Sequence, residues 1–124
     1  MHPDISILIP FLNEEENIYK LVNTLNQFCQ SNNDLRIEVL FIDDGSTDYS
    51  VNLLCKNCAN TLFSYRIIKL SKNYGSHAAL RAGITIADGN HIGFLYADLQ
   101  DPVDLILKMY KVALKSKSNI VWAS

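Results

Sequence analysis

An apolar run, Val39-Leu40-Phe41-Ile42, stops at two adjacent carboxylates, Asp43 and Asp44. A buried carboxylate without a partner is costly, so the pair must stand where a strand delivers its last residues to a sheet edge. In open α/β sheets that edge, at the carboxyl ends of the strands, is where ligands bind. Gly45 permits a sharp exit, and Ser46 or Thr47 can cap the next helix. Two adjacent acids exceed what a turn and a cap need, so at least one is available to a ligand. Two further sets follow other apolar runs: Asn13-Glu14 after Ile5–Ile9, and Asp98 with Gln100 after His91–Tyr96. A dinucleotide site would place G-x-G-x-x-G after the first strand. Here Pro10-Phe11-Leu12-Asn13-Glu14 occupies that place, and Glu14, Glu15 and Glu16, expected in the first helical turn, would repel phosphate. A phosphate-bearing ligand therefore needs another counter-charge. A divalent cation held by Asp98 and Gln100 would supply it, and such oxygen donors suit Mg²⁺ or Mn²⁺. Asp43 and Glu14 could then accept hydrogen bonds from ribose hydroxyls or a base N–H.

The elements that must position these residues alternate. Ile5–Ile9 reads as a strand buried on both faces and ended by Pro10. Asn13 is placed to cap a helix, with Glu16 completing a capping box. Ile18, Leu21, Val22, Leu25, Phe28 and Cys29 give that helix one apolar stripe. A second strand spans 36–42, a second helix 48–60 with Val51, Leu54, Cys55 and Cys58 on its inner face, and a third strand 65–70. The next helix, 76–87, has a small inner face of Ala78, Ala79, Ala82 and Gly83, which lets it lie close to a sheet. A fourth strand spans 91–96. Asp101 as cap and Pro102 in the first turn start a last helix reaching about residue 117, which should bury Ile106, Met109, Tyr110, Ala113 and Leu114. Residues 120–123 begin a fifth strand. This β-α alternation predicts a three-layer α-β-α domain over 1–124, with a mostly parallel sheet and right-handed crossovers. It brings the three acidic sets to one edge.

Composition fits one globular domain. The 124 residues are 48% hydrophobic and 19% charged, with a net charge of −2 that gives no basic groove for nucleic acid. Ile5–Ile9 is too short for a signal-peptide core or a span, so the stretch reads as cytosolic. Three cysteines suit a reducing compartment, and Cys55-Lys56-Asn57-Cys58 has no second pair, so these thiols read as packing groups. His77 at a helix start reads as a cap or surface group, His91 as solvated, Lys72 as a loop lysine and Trp122 as core.

Four segments in order carry a resemblance: Ile9-Pro10-Phe11-Leu12-Asn13-Glu14-Glu15-Glu16-Asn17, Ile42-Asp43-Asp44-Gly45-Ser46-Thr47-Asp48, Asn73-Tyr74-Gly75-Ser76-His77-Ala78-Ala79, and Ala97-Asp98-Leu99-Gln100-Asp101-Pro102. Together they resemble a family 2 glycosyltransferase, and the last two are most similar to the polyprenyl-phosphate branch, such as dolichyl-phosphate mannose synthases. The resemblance implies a GT-A fold whose Rossmann-like, nucleotide-binding half this chain would be. It implies that Pro10, Asn13, Glu14 and Asp43, with Asp44 and Ala97 beside them, line the pocket of a UDP- or GDP-sugar. Asp98, with Gln100, would hold Mg²⁺ or Mn²⁺ against the diphosphate. The acceptor would be a lipid phosphate, placing the full-length protein at the cytoplasmic face of a membrane. The acceptor half and any membrane helices would then lie beyond Ser124, leaving the fragment inactive alone and its last strand exposed, disordered or paired with a second copy. One departure stands out: the family's D-x-D has Tyr96 in its first position here.

Two other classes fit less well. A receiver domain has similar length and β-α repeats, but needs an acidic pair after strand one, where Pro10-Phe11 stand, and a lysine after strand five. A non-catalytic nucleotide-sugar binder is kept open by Tyr96.

Overall fold

The computed structural model describes residues 2–71, 75–116 and 120–121. Lys72, Asn73, Tyr74 and Trp122 lie outside the described residues. The elements are β1 (Ile5–Phe11), α1 (Ile18–Ser31), β2 (Ile37–Asp43), α2 (Ser50–Asn57), β3 (Ser64–Lys69), α3 (Ser76–Ile86), β4 (His91–Phe94), α4 (Asp104–Ser116) and β5 (Ile120–Val121). The strands form one parallel sheet in the order β3-β2-β1-β4-β5. Every residue of β1 and β2 is buried, as expected of central strands covered on both faces. The larger core joins α1, α2 and α4 to Ile5, Ile7, Ile9, Val39 and Phe41; the other joins α3 to Leu8, Leu40 and Ile42. The three α-β-α layers are therefore those the alternation predicts. No helix among the described residues is long and apolar enough to cross a membrane.

Pro10 does not end β1. It pairs with Ile42 inside the ladder. The Leu8 carbonyl accepts from Leu95 on the β4 side, and the Phe11 carbonyl accepts from Asp44 on the β2 side. Strand alternation thus points the missing N–H of Pro10 toward β4, beyond that strand's last paired residue, Phe94, so no ladder bond is lost.

One crossover also departs from expectation. α1 and α4 cover the same face, yet β1→β2 and β4→β5 step in opposite directions. The β4-α4-β5 unit therefore has the opposite hand to the others. Strand twist normally fixes that hand, but β4 and β5 pair through only Ile92↔Ile120 and Gly93↔Val121. Ile106 of α4 instead seats on Gly93, 3.4 Å from where a Cβ would stand.

Helix ends shift as well. α2 stops at Asn57 with Cys58 as its cap residue, which leaves Cys55 exposed and Cys58 buried. Burial pushes the Cys58 thiol up to about 12, with Cys55 nearby adding to the rise, and burial takes Cys29 to about 11. Both stay protonated and serve packing. α4 starts at Asp104 rather than after Asp101, because the Pro102 and Val103 carbonyls take the first turn's bonds, and Leu114 faces out. His91 is half-buried rather than solvated, its ring edge-on to Tyr110 at 5.2 Å.

The small face of α3 does what its composition predicts. A Cβ on Gly83 would lie 2.7 Å from Ile42 Cδ1 and 2.8 Å from Leu8 Cδ2. Gly83→Ala gains helix propensity but overpacks the interface with the two central strands. It should lower stability by about 1–2 kcal/mol, read as a lower urea midpoint at unchanged slope.

Candidate functional site

At the carboxyl edge of the sheet, the exits of β1 and β2 are stitched together. The Asn13 N–H donates to Ser46 Oγ (2.9 Å), and Asn13 Oδ1 accepts from the backbone of Thr47 (2.8 Å) and Asp48 (3.3 Å). The Glu14 N–H donates to Ser50 Oγ (2.8 Å) and the Glu15 N–H to Asp48 Oδ2 (3.1 Å). Asn13 therefore does not cap α1. Its left-handed backbone, φ 53°, which asparagine tolerates, turns its amide across to the neighbouring loop. α1 begins at Ile18 after Asn17, and Asn17 spends its amide on Glu14 (2.7 Å). The three glutamates thus precede the helix rather than fill its first turn. Burial would raise the Asp48 carboxyl, but hydrogen bonds from Ser50 and the Glu15 amide hold it below its ordinary value, so it stays ionised in this joint.

The acidic pair divides its work. Both carboxylates are buried at the end of β2. Asp43 Oδ1 accepts the Ser46 N–H at 2.8 Å and closes the turn that Gly45, at φ 98°, makes possible. Asp44 Oδ2 accepts the Gly75 N–H at 2.9 Å and ties the entry of α3 to the site. After β4 the chain turns through Leu99, whose φ of 56° costs of order 1 kcal/mol or more in a leucine. Two contacts hold it there: its N–H donates to the Tyr96 carbonyl at 3.0 Å, and its side chain packs on the larger core. The turn leaves Asp98 exposed, with Oδ1 accepting the Gln100 N–H at 3.3 Å.

These exits enclose a cleft of about 320 Å³ lined by Pro10, Phe11, Leu12, Glu14, Asp44, Gly75, Tyr96, Ala97 and Asp98. That volume suits a small-molecule site. Of the residues expected to bind nucleotide sugar, Pro10, Glu14, Asp44, Ala97 and Asp98 meet here. Asn13 and Asp43 are not among the lining residues; they hold the loops that are. Gln100 is exposed and also outside the lining. Phe11, Leu12 and Gly75, which are not among the expected site residues, also line the cleft. The apolar run of β1, which continues past Pro10 into Phe11 and Leu12, indicates the first two.

Three carboxylates line the cleft, and no lysine or arginine is among the described lining residues. Among the described residues no three His, Cys, Asp or Glu side chains converge on a metal position. The donor set therefore fits a cation that arrives with a diphosphate, since Mg²⁺ is commonly held by one or two carboxylates plus substrate phosphates. It does not fit a cation caged by protein alone.

Comparison with known proteins agrees with the architecture. The chain is 34% identical over 109 residues to an undecaprenyl-phosphate 4-deoxy-4-formamido-L-arabinose transferase of Pseudomonas syringae pv. syringae, covering 88% of this chain and 32% of that protein. It is 38% identical over 110 residues to the uncharacterized glycosyltransferase YkcC of Bacillus subtilis, covering 87% and 33%. The chain thus spans about a third of the length of these curated relatives. Among solved structures, a mannosyltransferase of Pyrobaculum calidifontis in complex with GDP-Man and Mn²⁺ superposes with a TM-score of 0.68 at 18% identity, over 79% of this chain and 28% of that one. A glucosyl-3-phosphoglycerate synthase of Mycobacterium tuberculosis in complex with Mn²⁺, UDP and glucosyl-3-phosphoglycerate gives 0.67 at 22% identity, over 90% and 39%. These share the GT-A fold. The sequence profile of Glycosyl transferase family 2 matches residues 6–124, and the chain belongs to that family of glycosyltransferases.

Proposed function

We propose that this chain is the donor-binding part of an enzyme that moves a sugar from a UDP- or GDP-sugar to a polyprenyl phosphate, with Mg²⁺ or Mn²⁺ at the diphosphate. The observation that carries this reading is the single cleft in which Glu14, Asp44 and Asp98 meet with no described basic residue. Glu14 and Asp44 accept from ribose hydroxyls or a base N–H. Asp43 and Asn13 act behind them by fixing the loops. Asp98, with Gln100 beside it, would hold the cation. When bound, the metal stabilises the nucleoside diphosphate as a leaving group. A lipid-phosphate acceptor, as the printed name of the Pseudomonas relative specifies for that protein, is already anionic and needs little help from a general base. The whole protein would work at the cytoplasmic face of the membrane, in cell-envelope glycan synthesis.

Titration calorimetry with UDP and GDP in Mn²⁺ tests the reading. At least one should bind saturably and be displaced by its sugar conjugate; failure of both would overturn it. A non-catalytic binder of the same ligands is favoured only by Tyr96 at the first D-x-D position, where the cation loses one carboxylate. Tyr96→Asp restores that acid at a position that lines the same cleft as Asp98. It should raise the dependence of nucleotide binding on Mn²⁺, the ratio of Kd in EDTA to Kd in Mn²⁺, by about fivefold, or ~1 kcal/mol.

A further inference from the structure

Tyr96 is 44% exposed, yet its neighbours Leu95 and Ala97 are 1% and 3% exposed. Strand alternation at the end of β4 turns this one aromatic ring out of the core and into the cleft. Its backbone is fixed by the bond from the Leu99 N–H to its carbonyl, so the ring is presented by a held turn rather than a loose loop. Among the described residues its hydroxyl takes no hydrogen bond, so no polar contact explains the orientation. In the lining it joins Pro10, Phe11 and Leu12, the last also an exposed large apolar residue. The cleft thus has an apolar wall beside its three carboxylates. A carboxylate-rich end suits hydroxyls and a cation; an aromatic wall suits a planar, uncharged group. A nucleoside diphosphate carries both.

We propose that Tyr96 is a donor-binding residue: its ring is the wall on which the nucleoside of the donor stacks. The proposal rests on the nucleotide-sugar reading above. With the diphosphate end at Asp98 and hydroxyl and base contacts at Glu14 and Asp44, the nucleoside would occupy the cleft whose lining these three residues share with Tyr96. In this chain the position thereby exchanges cation affinity for nucleoside affinity.

The test compares UDP, GDP and inorganic pyrophosphate, each with Mn²⁺, on the wild-type protein and on Tyr96→Phe, Tyr96→Leu and Tyr96→Ala. Circular dichroism and thermal unfolding confirm that each variant folds. Tyr96→Phe should bind the preferred nucleoside diphosphate within about twofold of wild type, and Tyr96→Ala about tenfold more weakly, as base–aromatic stacking predicts. Tyr96→Leu keeps an apolar surface without a π face and should resemble Tyr96→Ala. Pyrophosphate, which lacks a nucleoside, should bind all four proteins alike. Undiminished nucleotide binding by Tyr96→Ala, or full affinity in Tyr96→Leu, would overturn stacking. An equal loss for pyrophosphate would show that the residue serves the diphosphate end, and would overturn it too. A wild-type protein that binds pyrophosphate but neither nucleotide removes the nucleoside role while leaving a cation–diphosphate site. One that binds none of the three overturns the underlying reading as well.

Discussion

Glu38→Ala should lower stability by about 3 kcal/mol, enough to unfold a marginal domain. Glu38 is a carboxylate inside β2, at the opposite end of the sheet from the cleft. Its Oε2 accepts from Ser6 Oγ at 2.6 Å and from the Asp88 N–H at 2.9 Å, and its Oε1 accepts from Arg66 at 3.0 Å. Ser6 Oγ in turn accepts the Gly89 N–H at 2.8 Å, and Arg66 also reaches the Ile86 carbonyl at 2.9 Å. One carboxylate therefore joins β1, β2, β3 and the turn from α3 into β4. Removing it strands the Ser6 hydroxyl and the Asp88 amide, each at a cost of about 1–3 kcal/mol. Arg66 is 46% exposed and finds water, so Arg66→Met should cost only about 1 kcal/mol. The network also sets a pH dependence. Burial alone would raise the Glu38 carboxyl, but the bonds from Ser6, Asp88 and Arg66 outweigh it and hold it below the ordinary 4.5. A lowered folded value stabilises the protein above the unfolded value and is lost as pH falls through the folded one. Urea midpoints should therefore fall in the wild type as pH drops below about 4.5, and fall less steeply in Glu38→Gln. Equal slopes would contradict the assignment.

Asp98→Ala should weaken nucleoside diphosphate binding in Mn²⁺ by about a hundredfold, or ~2.7 kcal/mol. Asp98 is the one carboxylate on the β4 side of the cleft, and the other two, Glu14 and Asp44, come from the exits of β1 and β2. A carboxylate and a divalent ion about 4 Å apart attract by roughly 8 kcal/mol at an effective dielectric of about 20. Lost hydration and the exposure of Asp98 remove most of that. Calorimetry on the variant should return about the same Kd in Mn²⁺ and in EDTA. A variant that kept the full Mn²⁺ effect would move the cation site elsewhere. Asn13→Ala makes the contrast, because that side chain acts on loop geometry and should weaken binding with and without the metal.

What could be read from the chain follows from the range of the forces involved. β1 and β2 were legible because strands covered on both faces must be continuous in Ile, Leu, Val and Phe. The stripe from Ile18 to Cys29 was legible because burial imposes its period on α1. The end of β2 at Asp43-Asp44 was legible because charge marks where burial stops. The role of Asn13 was not, since its partners Thr47 and Asp48 lie 34 and 35 residues away and local patterning suggested a helix cap. Pro10 is not legible locally for a related reason: whether its missing N–H matters depends on where β4 ends. Asp43 and Asp44 are adjacent and identical in type, so only the fold shows which closes a turn and which lines the cleft. The hand of the β4-α4-β5 unit follows from the face on which α4 packs, where Ile106 lies against Gly93, a contact no local pattern announces.

In the proposed function Asp98 would hold a divalent cation that offsets the charge of the diphosphate, in a cleft whose described lining has no basic side chain. The most direct measurement is the affinity of the wild-type protein for UDP and GDP by titration calorimetry, in Mn²⁺ and again in EDTA. The account predicts a Kd at least about a hundredfold weaker in EDTA for the preferred nucleotide. The same Kd in both buffers would contradict it.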